Sequence, residues 1–279
     1  MRIITEDEII KTVKTMCIDA AFDLSEDVKK GFHECLTTEE SDIGKSVLNE
    51  LLENAEIATK ERLPLCQDTG FAVFFVDLGE DVHINGSLIK AINEGVRQAY
   101  KEAYLRKSIL ADPLRRKNTG DNTPAIIHID FVEGDKIKIM FSAKGGGSEN
   151  MSRVGMLKPS DGAEGVKNFI VETAKLAGPN PCPPMIVGVG IGGTFEKAAM
   201  LAKKAIFRDL HEHNPDPFYA EMEKELLERI NKLGIGPQGL GGKTTALAVH
   251  VNAFPCHIAS LPLAVNIQCH SSRHRVISI

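Results

Sequence analysis

Three of the six cysteines in the 279-residue chain stand beside structure breakers and polar groups: Cys66 in LPLCQDTG, Cys182 in GPNPCPP and Cys269 in NIQCHSSRH. A thiolate is a soft ligand for iron or zinc, and a cysteine at a turn is better placed to reach a metal than one in an apolar stripe. The other three are placed differently. Cys17 falls in a helical apolar pattern and Cys35 in a mixed helix end, the settings of a packed or surface thiol. Cys256, in AFPCHIAS, reads equally as a ligand or as a small filler beside His257. None of the three favoured cysteines belongs to a C-x-x-C pair, so spacing alone leaves a metal site level with unrelated thiols.

Two glycine patterns invite a phosphate-binding reading. Gly188, Gly190 and Gly193 satisfy G-x-G-x-x-G between an expected strand and an expected helix. The acidic partner that a dinucleotide site needs would be Asp209, which lies in a helical pattern, so tight packing of strand on helix is the simpler reading. The stretch GPQGLGGKT, 236–244, resembles a P-loop, but its first required glycine falls on Pro237. The following ALAVHVNAF has the period of a strand, not of the helix that would hold phosphate.

The elements that must position these residues read as mixed α/β. Helical spacing occurs in EDEIIKTVKTMCIDAAF and IGKSVLNELLENAEIATK, with Thr5 and Ser41 as caps. After Leu63-Pro64, Cys66 leads into the strand FAVFFVDL, and residues 88–110 read as a helix followed by a polar loop. AIIHIDFVEG and DKIKIMFSA look like a hairpin closed at Glu133-Gly134-Asp135. A helix over 161–177, the strand MIVGVGIGG, the helix FEKAAMLAKKAIFRDL and a helix from Glu221 to Leu233 follow. No linker or internal repeat interrupts the pattern. The expectation is one α/β domain over residues 1–279, with sheets surrounded by helices and loops from three regions forming the site.

Composition narrows the function classes. The apolar fraction is 43% and the charged fraction 25%, which is ordinary for a globular protein. A net charge of -5 offers no general attraction to nucleic acid or an anionic membrane, so an anionic substrate needs local positive groups. The acidic N-terminal stretch is unlike a secretion signal, and the scattered cysteines are unlike a disulfide framework; a cytoplasmic protein with free thiols is expected.

Four longer stretches carry a more specific signal: LCQDTG at 65–70, KGGGSEN at 144–150, GLGGKTT at 239–245 and CHSSRHR at 269–275. In this order, and over essentially the whole chain, they resemble the iron-sulfur fumarate and tartrate hydro-lyases. The similarity is to the alpha subunit of the two-subunit form, equivalent to the N-terminal half of the longer class I fumarases. That resemblance implies a 4Fe-4S cluster held by Cys66, Cys182 and Cys269, with one iron left open as a Lewis acid for a small dicarboxylate.

The same resemblance implies substrate contacts from Gln67, Asp68, Arg106, the backbone around Gly146 and His257, with Asp68 and His257 as the catalytic candidates. Each has a plainer reading from its own surroundings. Arg106 reads as a solvated arginine on a charged helix, and Asp68 as a turn stabiliser in Q-D-T-G. Gly145 to Gly147 read as a hairpin exit, and His257 as a satisfied buried histidine. Arg273 and Arg275 read as supporting, interface or surface groups. The resemblance further implies a beta-type partner that supplies the catalytic base, and pairing into an α2β2 assembly. Reversible hydration of fumarate to malate is the leading reaction; dehydration of tartrate to oxaloacetate is the alternative. A non-enzymatic iron-sulfur or zinc regulator and a nucleotide-binding protein are the rivals from other classes.

Overall fold

The structure, a computed structural model, describes residues 2–279. The first half of the chain forms β1 (Arg2–Thr5), α1 (Glu6–Phe22), α2 (Glu26–Thr38), α3 (Asp42–Glu61), β2 (Phe71–Gly79), β3 (Val82–Asn85), α4 (Leu88–Glu102), β4 (Ile126–Val132) and β5 (Ile137–Lys144). The second half forms a single turn α5 (Gly146–Glu149), β6 (Arg153–Leu157), α6 (Gly162–Ala177), β7 (Met185–Gly192), α7 (Phe195–Ala205), α8 (Pro217–Asn231), β8 (Ala246–Phe254), β9 (Leu261–Gln268) and β10 (His274–Ser278). The fold is mixed α/β, as expected. No helix among the described residues is long and apolar enough to cross a membrane. The chain divides into two compact units. The first comprises the residues up to Ser25, Ala55–Gly146 and Arg273–Ile279; the second comprises Glu26–Asn54 and Gly147–Ser272.

In the first unit a four-stranded sheet runs in the order β10-β5-β2-β4. Ala72 to Val76 of β2 are all buried, the near-continuous apolar run typical of an interior strand whose two faces are both covered. It therefore takes a central place, parallel to β4 and antiparallel to β5. This overturns the expected hairpin. The turn after β4 passes over the end of β2, with Glu80 N–H donating to the Val132 carbonyl, Asp81 N–H to Gly134 and Gly79 N–H to Lys136. Helices α1 and α4 cover one face, where Ile9, Val13, Met16, Ile92 and Val96 meet Phe74, Val76, Ile139 and Phe141. Thr5 begins α1 with a reciprocal capping box to Glu8. Helix α4 stops at Glu102, short of the expected Leu110. Tyr104 takes φ 54° and turns the chain so that Leu105 is buried and donates to the Tyr100 carbonyl. The short strands β1 and β3, too brief to show a period in sequence, pair in parallel.

The second unit holds a sheet in the order β6-β9-β7-β8. On one face, Val166 and Ile170 of α6 and Met222, Leu226 and Ile230 of α8 pack on Val187, Val189, Val251 and Val265. On the other face Ala198 and Ala202 of α7 meet Ala264. Gly188 and Gly190 permit this close approach: a Cβ at either would fall 2.2 Å from the Ala202 carbonyl oxygen or 2.0 Å from that of Ala198. The G-x-G pattern is thus accounted for by strand-on-helix packing. As expected, the segment after Lys243-Thr244-Thr245 is a strand.

The P-loop-like segment binds an anion after all, but one that belongs to the chain. Glu39 is only 2% exposed, and its carboxylate accepts from the N–H groups of Lys243 at 2.9 Å and Thr244 at 2.8 Å. The N–H groups of Glu40 and Ser41 complete the set, both at 3.0 Å. Burial alone would raise the Glu39 pKa; the hydrogen bonds from Lys243, Ser41 and Thr244 outweigh it and hold it at about 2, against 4.5 for an ordinary glutamate. Its stabilisation is therefore complete above about pH 4.5 and is lost as pH falls towards 2. Glu39→Gln is expected to lower unfolding free energy by roughly 3 kcal/mol at neutral pH and to flatten the stability profile below pH 4.5. Urea unfolding across that pH range checks it; parallel wild-type and variant profiles would contradict it.

Candidate active site

One end of the first unit's sheet collects most of the residues singled out in that unit. The loop after α3 is anchored by Leu65, whose N–H donates to the Ala21 carbonyl at 2.9 Å. Cys66 follows, half-buried, with its thiol 3.3 Å from Gln67 Oε1. Asp68 accepts from Gly70 N–H through Oδ1 at 3.0 Å and from Gly146 N–H through Oδ2 at 2.9 Å. Its backbone carbonyl accepts from Arg273 Nη1 at 2.5 Å. Asp68 thus ties the cysteine loop to the exit of β5 and to the start of β10.

Buried polar side chains hold the same loop from the other side. Tyr100 donates its hydroxyl to the carbonyls of Thr69 at 2.8 Å and Gly70 at 3.2 Å. Burial pushes the Tyr100 phenol up, which keeps it a donor at physiological pH. Asn122, fully buried at φ 62°, donates to the Gly70 carbonyl and accepts from Ser108 N–H. Thr69 Oγ1 donates to the Arg106 carbonyl at 3.1 Å. This last bond brings Arg106 beside the loop, while its side chain is exposed. Arg106 lies beyond α4 rather than on a helix, contrary to expectation. Gly70 is required twice over: it takes φ 71°, and a Cβ there would meet the Lys144 carbonyl oxygen at 2.7 Å.

In the second unit Cys182 and Cys269 come to neighbouring segments. Cys182 precedes β7 and Cys269 follows β9, and Ile186 and Gln268 are register partners in these antiparallel strands. His270 N–H donates to the Cys182 carbonyl at 3.3 Å, and His270 Nδ1 lies 2.9 Å from the same oxygen. Gln238 completes the cluster: its Nε2 is 2.8 Å from the Pro183 carbonyl oxygen and 3.0 Å from His270 Nδ1. Cys182 holds φ 55°, a left-handed conformation secured by these bonds.

His257 does not join that cluster. It follows β8, on an exposed turn where its Nδ1 accepts from Ala259 N–H at 3.1 Å. Strand β9 separates it from Cys269, and eight residues of strand extend roughly 25 Å. Within one copy, His257 and the two cysteines occupy opposite ends of the same sheet. The expected buried histidine is likewise not found, since this one is exposed. Gly146 N–H, expected to face substrate, is taken by Asp68.

None of the six cysteines is joined in a disulfide among the described residues. Burial pushes the Cys17 thiol well up, and burial together with nearby Glu34 and Glu39, against a hydrogen bond to Thr244, brings Cys35 to about 11. Both are protonated and unsuited to binding metal. Cys66 and Cys269 are half-buried, and Cys182 is exposed on its loop. Among the described residues no three His, Cys, Asp or Glu side chains converge as a ready-made ion site.

Of the readings open for the two arginines of CHSSRHR, the supporting one describes both: Arg273 is 1% exposed and braces Asp68, while Arg275 donates to the Asp19 and Asp23 carbonyls and so caps the C-terminus of α1. Sequence reasoning left out Asn122, Gln238 and Tyr100. Asn122 had only its place in a turn-rich loop, Gln238 only its place in the P-loop-like stretch, and Tyr100 had no local signal at all.

The model of the fumarate hydratase (fumerase) family matches residues 10–278. The chain belongs to that family. A Methanocaldococcus jannaschii protein with the provisional name L(+)-tartrate dehydratase subunit alpha is 46% identical over 266 residues, covering 92% of this chain and 93% of the relative. Proteins of Escherichia coli and Shigella sonnei named L(+)-tartrate dehydratase subunit alpha are each 34% identical over 259 residues, covering 92% of this chain and 86% of theirs. Fumarate hydratase family membership places the chain among hydro-lyases, in agreement with the resemblance seen in its motifs.

Asp68 supplies one carboxylate oxygen to each of two backbone N–H donors, which an amide cannot do, because its NH2 would face one of them. Asp68→Asn is expected to cost roughly 1–3 kcal/mol of stability and to speed amide exchange at Gly146. Denaturant unfolding with hydrogen exchange tests this; an unchanged midpoint and unchanged Gly146 protection would contradict it.

Proposed function

We propose that this chain is the alpha subunit of an iron-sulfur hydro-lyase acting on a small dicarboxylate, with hydration of fumarate to malate as the leading reaction. The observation that carries this reading is the family match over residues 10–278, which includes all four motifs and all three loop cysteines. Dehydration of tartrate is the second reading, favoured by the names of the relatives. In the dehydration direction malate and tartrate each lose a hydroxyl and a proton from the neighbouring carbon beside a carboxylate, so one chain architecture serves either.

Cys66, Cys182 and Cys269 are the thiols we assign to a 4Fe-4S cluster, and the donor chemistry of the structure suits it. These three sit on loops, unlike the core thiol Cys17. On either side of Cys269-His270, the Gln268 amide and the Ser271 hydroxyl are buried without a hydrogen-bond partner, as is Nε of Arg273. Such donors suit an acceptor that comes from outside the chain. When bound, a cluster with one iron free of protein ligand supplies a Lewis acid that polarises a substrate hydroxyl.

The chain's own residues then orient the substrate. Arg106, with its exposed guanidinium, takes a carboxylate in bidentate fashion. The Gln67 amide donates to the substrate, and Asp68 accepts from its hydroxyl through lone pairs left over after the two backbone bonds. Gly146 acts through Asp68, which it holds in place. His257 has no assigned contact within one copy. A beta-type partner supplies the base that takes the carbon-bound proton, and two such pairs form an α2β2 complex. Residues 1–279 work as one functional domain, and the setting we assign to it is the reducing cytoplasm, where thiolate ligands persist.

Cys66→Ser, Cys182→Ser or Cys269→Ser is expected to lose iron and more than about 100-fold of turnover in the reconstituted complex. Cys35→Ser should retain both. Metal analysis on anaerobically isolated protein, with fumarate and tartrate assays in the presence and absence of the beta-type partner, tests the whole reading. Iron loss with turnover intact would favour a regulatory metal site, and full activity of the chain alone would remove the need for a partner.

A further inference from the structure

Strand β4 ends the sheet of the first unit, paired with β2 on one side only. Its edge presents unpaired backbone N–H and C=O groups, and large apolar side chains stand exposed beside it on both faces: Ile126 and Val132, 46% and 39% exposed, on one, and Ile129 and Phe131, 36% and 73% exposed, on the other. Edge strands are commonly guarded by a proline, a bulge or charged side chains; the seven residues IIHIDFV have no proline, lysine or bulge, and Asp130 is their one carboxylate.

The same seven residues are complementary to themselves. If two copies of β4 lie antiparallel about Ile129, Ile126 stands opposite Val132, Ile127 opposite Phe131, and Ile129 opposite its own counterpart. His128 then stands opposite Asp130 of the other copy, twice. Every pair is apolar with apolar or imidazole with carboxylate, and directly opposed residues share one face of the joined sheet. His128 is set on its face by stacking on Phe75, with ring centroids 4.7 Å apart. A pairing of this kind is isologous and closes after two chains, because each uses the same strand.

We propose that β4 is the edge through which two copies of this chain join, forming one continuous eight-stranded sheet from two four-stranded ones. The occupant of the edge is a second copy, since the strand matches its own reverse in polarity at every position and sets imidazole against carboxylate twice. This assignment is independent of the hydro-lyase chemistry.

The test uses the full chain, alone and with a beta-type partner. Ile129 lies on the two-fold axis, so directly opposed Cα atoms would be about 4.5–5.5 Å apart, within disulfide reach. Ile129→Cys is expected to give a covalent dimer under mild oxidation that the parent chain does not give. Ile126→Cys alone should not link, whereas Ile126→Cys with Val132→Cys in one chain should. Ile129→Lys sets two ammonium groups face to face and should weaken self-association by roughly 100-fold in sedimentation. His128→Asp should also weaken it, and adding Asp130→His should restore it. Circular dichroism melts confirm that each variant folds. A parent chain that sediments as a monomer, a dimer untouched by Ile129→Lys, or protection of β4 from exchange only when the beta-type partner binds would each overturn the proposal.

Discussion

The three-way attachment of Asp68 is the constraint on which the first unit's site end depends. Its carboxylate joins Gly70 to Gly146, and its carbonyl receives the guanidinium of Arg273, so a single residue fastens the cysteine loop to two strands. A buried guanidinium is costly unless it is hydrogen-bonded, and an unmade bond to a buried carbonyl is costly as well. Each therefore holds the other in place. Tyr100 and Asn122 extend the same arrangement by satisfying the carbonyls of Thr69 and Gly70 from beneath the loop. A loop pinned this way presents Cys66 and Gln67 in one conformation, which lowers the ordering cost of whatever binds there.

The second unit shows the same economy with a different device. Gly-rich backbone near Lys243 offers N–H groups of the kind that bind phosphate, and Glu39 fills that place with a carboxylate from α2's end. An internal anion leaves no room for a nucleotide there. The glycines of β7 likewise serve packing, since α7 lies close enough that a methyl group would strike its backbone. Two motifs that look like nucleotide sites are thus structural. The end of the sheet where β7 begins and β9 finishes instead gathers Cys182, Cys269, Gln238 and His270, held together by backbone and side-chain bonds.

The amino-acid sequence by itself determined the mixed α/β class, the caps at Thr5 and Ser41, most helices and strands, the separation of loop cysteines from packed ones, and the family. These depend on periodicity within an element or on residue types within a short motif, and both are local. Only the tertiary structure decided that β2 lies between β4 and β5, that Arg273 braces Asp68, that Glu39 fills the glycine loop, and that His257 is at the far end of its sheet from Cys269. The physical reason is that each of these depends on a partner distant in the chain: Asp68 and Arg273 are 205 residues apart, and Glu39 and Thr244 also 205. A period shows which face of a strand is buried, but the strand or side chain that buries it is chosen by packing and hydrogen-bond satisfaction in three dimensions.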